Sequence, residues 1–170
     1  MKYEIVYIST SGCTKKVAQA LAEAVSPQPC RLINFEMETP SDDADVYLVG
    51  FCVRHGACPY ALLEWMETLE DKKVMLFATG GLAAVDGYQK RIEAVAASFL
   101  SDSCEYLGMH LCQGEISPEG YTHFRSCLSD SGDEGALQNI RQLYAYSQGH
   151  PNTQELQDAC NFMKNALKQH

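Results

Sequence analysis

Five short apolar runs, each followed by a stretch whose apolar residues recur with a different period, constrain this chain more than any other feature. Residues 2–8, 30–35, 46–51, 73–78 and 104–112 read as strands. The third and fourth, VYLVGF and KVMLFA, are apolar almost without a break. An unbroken run suits a strand covered on both faces, as in a parallel sheet flanked by helices. Between the runs the period changes. Val17, Leu21 and Val25 recur at i, i+4 and i+8 within 14–25. Leu62, Met66 and Leu69 do the same within 60–69, and Ile92, Val95, Ala96 and Phe99 within 86–100. A last stripe of Leu156, Cys160, Met163 and Leu167 follows Asn152 or Thr153 as the cap, with Glu155 in its first turn.

Strand alternating with helix implies an α/β domain with a doubly wound parallel sheet, and right-handed crossovers leave few topologies. At 170 residues the chain is expected to form one domain, 1–170. Residues 114–135 hold four glycines and read as a long loop with a short helix around 121–128. Leu137, Ile140 and Tyr144 then suggest a helical turn or two.

Composition narrows the function classes. Lys and Arg number 13 against 22 Asp and Glu, a net charge of −9, which argues against binding nucleic acid by neutralising phosphates. The same charge favours docking on a basic patch of a partner protein. No run approaches the ~20 apolar residues of a membrane span, and the first residues lack the apolar core of a secretory leader. The expectation is a cytoplasmic, monomeric protein. Eight cysteines occur with no Cys-x-x-Cys pair, so reduced thiols are expected and no metal site. Cys104 and Cys112, eight apart in one strand, are expected on the same face. A redox pair between Cys52 and Cys58 is the alternative to inert thiols near the site.

In open parallel sheets, ligands bind beyond the carboxyl ends of the strands. The loop after strand 1 reads STSGCT, with hydroxyls at Ser9, Thr10, Ser11 and Thr14, a pliable Gly12, and a helix starting at once. Free N–H groups at a helix N-terminus attract anions without an arginine. Neither the Walker A pattern nor the dinucleotide G-x-G-x-x-G pattern is present. A turn that merely caps a helix is the plain alternative.

The run resembles the flavodoxin phosphate loop, [ST]-x-[ST]-G-x-T, through Ser9, Ser11, Gly12 and Thr14, with Cys13 where that family usually has Asn. The resemblance spans residues 1–112 and implies the strand order 2-1-3-4-5 with FMN as the cofactor. It implies a phosphate site at residues 9–14, Cys13 and Thr10 included. Two ring-flanking loops follow from it. Phe51, Val53, Arg54 and His55 are the contacts after strand 3, with Gly56 as a peptide pivot. Thr79, Gly80, Gly81 and Tyr88 are those after strand 4. Trp65 falls within a helical pattern and is expected in the core or on a helix surface. LCQGEIS and GHPNTQEL look like a branch of flavodoxin-like proteins from anaerobes, some of which accompany flavin reductases, including a bilirubin-reducing system.

The implied function is an electron carrier supplying a partner reductase, with no catalytic side chain of its own. An NAD(P)H-dependent flavin or quinone reductase, and a flavodoxin-like binding module that has lost FMN, are the alternatives. A phosphoacceptor receiver domain is excluded, because it needs acidic residues where Ser9, Thr10, Gly50 and Phe51 stand.

Overall fold

The structure, a computed structural model, describes residues 1–130 and 132–169. In chain order the elements are β1 (Tyr3–Ile8), α1 (Cys13–Val25), β2 (Cys30–Asn34), β3 (Val46–Cys52), α2 (Tyr60–Met66) and β4 (Lys73–Gly80). They continue with α3 (Tyr88–Ala97), β5 (Glu105–Gln113), α4 (Pro118–Ser129), α5 (Glu134–Ser147) and α6 (Thr153–Gln169). The strands form one sheet in the order β2-β1-β3-β4-β5, and every neighbouring pair is parallel. This is the doubly wound sheet, and the strand order, that the sequence implies.

Alternation along the central strands builds two cores. Val6, Val49, Leu76 and Ala78 face α2 and α3, which contribute Leu62, Met66, Ile92 and Ala96. Ile5, Leu48, Met75 and Phe77 face α1 and α6, which contribute Val17, Leu21, Ala159 and Met163. Trp65 packs in the first of these, its ring 5.6 Å from Phe35 and 5.8 Å from Tyr47. No described helix is long and apolar enough to cross a membrane.

Three expectations change. Helix α2 ends at Met66, yet Leu69 stays buried, because i→i−3 bonds from Thr68 and Leu69 tighten the chain beyond it. The short helix expected around 121–128 is present but longer, Pro118–Ser129, and the segment 114–135 is mostly helix. Ser117 accepts from the Gly120 N–H and caps α4, with Pro118 at the first helical position. Asp133 accepts from the Ala136 N–H and caps α5. Gly120 and Gly135 sit in the opening turns of these helices. Ser131, within the expected loop, lies outside the described residues, as does His170. The two helices are joined by Tyr121 and Tyr144, whose rings stack at 4.2 Å and 15°.

Cys104 and Cys112 also fall on opposite faces. Val74 pairs with Tyr106 but Leu76 with Met109, so β5 carries one residue more than β4 across this step. Leu107 and Gly108 both turn toward the α6 side, where the Phe162 ring covers the glycine. The bulge reverses the alternation. Cys104 therefore packs with α2 and α3, and Cys112 with α1 and α6.

Candidate functional site

The loop after β1 turns into α1 at Gly12, whose φ of 90° lies in the left-handed region that side chains disfavour. The Lys15 N–H donates to Ser9 Oγ at 3.2 Å. The N–H groups of Gly12, Cys13 and Thr14 have no acceptor among the described residues. Three bare donors stand at the positive end of a 13-residue helix, an arrangement that could hold an anion.

The hydroxyls divide between structure and site. Ser9 caps the helix. Thr14 is buried, with Oγ1 2.8 Å from Oγ1 of the equally buried Thr79. Thr10 and Ser11 are exposed and line the cleft. Ser11 Oγ also donates to Cys13 Sγ at 3.3 Å, and the Cys13 thiol reaches the His150 carbonyl at 3.5 Å. The side chain that departs from the family pattern is thus turned toward the α5–α6 connection, while its N–H stays among the bare donors at the start of α1.

After β3, Val53 N–H bonds the Thr79 carbonyl at 2.9 Å and extends the sheet. Arg54 and Ala57 then exchange N–H···O bonds of 3.0 and 2.9 Å around His55 (φ 51°) and Gly56 (φ 76°). Positive φ at both central residues defines a type I′ turn, which glycine tolerates and histidine resists. Arg54 folds back over the first loop, donating from Nε (3.1 Å) and Nη2 (2.7 Å) to Thr10 Oγ1. Its Nη2 also lies 3.6 Å from Glu36. A cation therefore spans the two loops.

After β4, Gly80 and Gly81 line the same cleft. Gln113, buried at the end of β5, holds this loop. Its Nε2 donates to the carbonyls of Gly81 (2.8 Å) and Gly114 (3.0 Å), and its Oε1 accepts from the Ala84 N–H (3.3 Å). The residues after β5 complete the wall. Glu115 and Ser117 face the cleft. Ile116 is clamped by Ser147 Oγ, which accepts its N–H at 3.0 Å, and by Gln148 Nε2, which donates to its carbonyl at 3.2 Å. Sequence reading missed this fourth loop, although the rule that ligands sit beyond the carboxyl ends of strands applies to β5 as well.

Thr10, Ser11, Cys13, Val53, Arg54, Thr79, Gly80 and Gly81 are brought together in one cleft. The cleft opens through Val53, Arg54 and Gly81 into a recess of about 450 Å³ that takes in His55, Gly56 and Tyr88. Tyr88 is the first residue of α3 and nearly buried. Phe51 does not reach the cleft. Its ring is fully buried in the core under α2 and α3, because alternation along β3 points it inward. Of the cysteines nearby, burial pushes the Cys58 thiol up to about 12, with Cys52 adding to the shift. Cys58 is therefore a protonated, unreactive thiol at neutral pH. All eight cysteines are free.

Comparison with known proteins bears on the family and the fold. A family model described as flavodoxin domain matches residues 4–164. The chain is 26% identical over 172 residues to the flavodoxin-like domain-containing protein BilS of Clostridioides difficile strain CD3, covering 98% of this chain and 97% of that one. It is 25% identical over 167 residues to the protein of the same name from Clostridium symbiosum strain WAL-14163, covering 89% and 88%. Among solved structures, a flavodoxin from the domain Archaea superposes with a TM-score of 0.56 at 14% identity, covering 98% of this chain and 99% of the other, a likeness of fold.

Proposed function

We propose that this chain, which belongs to the flavodoxin domain family, holds FMN in the cleft beyond β1, β3, β4 and β5 and carries electrons to a partner reductase. The observation that carries the reading is the continuity of the site. The bare N–H donors of Gly12, Cys13 and Thr14 lie at the start of α1, where Cys13 lines the cleft, and a recess walled by Val53, Gly81 and Tyr88 shares Val53, Arg54, Gly81, Glu115 and Ser117 with that cleft. The first suits a phosphate ester and the second a planar ring, so the residues present fit the cofactor.

Thr10 and Ser11 add hydroxyls to the phosphate end. Arg54, His55 and Gly56 line the ring end, and Thr79 and Gly80 line the cleft that adjoins it. Bound FMN would supply one- and two-electron chemistry, leaving the protein to set potential and access. Arg54 favours negative charge in the cleft, whereas the net charge of −9 opposes it. No general acid or nucleophile is needed for this role.

The acidic surface suits a partner that presents a basic patch, with association that weakens as salt rises. The branch resemblance of LCQGEIS and GHPNTQEL names a flavin reductase as the kind of partner. The test is to purify the protein, add FMN, and measure flavin absorbance and bound FMN by mass spectrometry. Bound flavin at one per chain is expected. A protein that retains none after reconstitution overturns the reading.

A further inference from the structure

Aromatic side chains able to cover a flat ligand are scarce around the cleft. The Phe51 ring is spent in the core. Tyr88 is 8% exposed and packs against Gly80, its ring 3.5 Å from where a Cβ would stand. His55 sits at the tip of the type I′ turn.

One large apolar side chain remains open to the recess. Phe124 is 39% exposed on α4, a helix that buries none of its own residues. Gly120, His123 and Phe124 all line the recess, and their spacing of i, i+3 and i+4 puts them on one helical face. That face is fixed over the cleft by the clamp on Ile116, two residues before α4 begins. Opposite it stand Val53 and Leu82 from the loops after β3 and β4.

We infer that Phe124 covers a face of the flavin ring, so that α4, rather than the loops after β3 and β4, supplies the stacking aromatic. The assignment rests on the FMN reading above. Offset stacking of two π systems adds to the apolar area that each buries.

The test compares wild type, Phe124→Ala, Phe124→Tyr and Gly12→Ala, using FMN and riboflavin as probes, with affinity by titration and the visible absorption bands of bound flavin as the readouts. Stacking shifts those bands from their positions in free flavin. Phe124→Ala is expected to weaken both ligands by the same factor, about 10-fold, and to return the bands of bound flavin toward those of free flavin. Phe124→Tyr keeps wild-type affinity and quenches bound-flavin fluorescence more than wild type does, because a phenol gives an electron to the excited flavin more readily than a phenyl ring. Gly12→Ala weakens FMN but not riboflavin, since riboflavin lacks the phosphate. A matching urea midpoint for Phe124→Ala shows that the fold is intact. If Phe124→Ala binds FMN with wild-type affinity and wild-type absorption bands, the assignment is overturned while the FMN reading stands. If wild type binds neither flavin, both fall together.

Discussion

The hydroxyls of Thr14 and Thr79 lie 2.8 Å apart, with both residues buried, and fasten the first turn of α1 to the carboxyl end of β4. These positions are 65 residues apart in the chain. The start of α1 and the loop after β4 thus share one hydrogen bond beneath the cleft, and its loss is felt at both.

Replacing Thr79 with Val keeps the shape but leaves the Thr14 hydroxyl buried without its partner. Such a group costs about 1–3 kcal/mol. The double variant Thr14→Val with Thr79→Val removes both hydroxyls and is expected to recover much of that loss. Urea midpoints of the two single variants and the double give the coupling directly. Purely additive losses would show that the pair is not coupled.

Gly12→Ala places a Cβ in a left-handed conformation, yet nothing lies within 4 Å of that Cβ. The cost is therefore one of backbone alone, about 1–2 kcal/mol. Gly12→Asn is expected to cost less, because asparagine visits this region more readily. Thermal unfolding of the two variants should rank them in that order.

His110 is packed against the Phe162 ring at 5.5 Å, and burial holds its pKa below the usual histidine value. Asp158 and Glu155 pull weakly the other way. The unfolded chain then takes up a proton at a higher pH than the native one does. Stability is full above about pH 6.5 and falls as pH drops through the native value. Urea midpoints between pH 7.5 and pH 5 are expected to decline, and His110→Gln to flatten that decline. A decline unaltered by the substitution would assign it to other groups.

Cys58, with its thiol pushed up to about 12, is expected to resist iodoacetamide at pH 8 in the folded protein, whereas exposed Cys127 is labelled first. Mass spectrometry of limited labelling reads the order. Early modification of Cys58 would mean that the β3–α2 loop opens in solution.

The parts of the fold legible in the sequence are those whose signals are local. VYLVGF and KVMLFA announce strands buried on both faces, and STSGCT announces a turn into a helix. Helix α4 was legible only as a short helix around 121–128, and its full extent was not, because it buries nothing and so carries no apolar stripe to count. Gln113 and Ser147 were illegible for a different reason. Their work is to reach Gly81 and Ile116, more than 30 residues away in each case, and no spacing along the chain encodes that. Phe51 ends an apolar run, and a run that is apolar on both faces does not tell which way its last ring points.

The extra residue in β5 behaves like a frameshift written into the pleat. Before Leu107 the strand follows one parity, and after Gly108 it follows the other. Met109 and Leu111 belong to one core, and His110 and Cys112 to the other, because of a single position upstream of them. What substitutions those four sites tolerate is thus decided less by their own chemistry than by whether the insertion at Gly108 is kept.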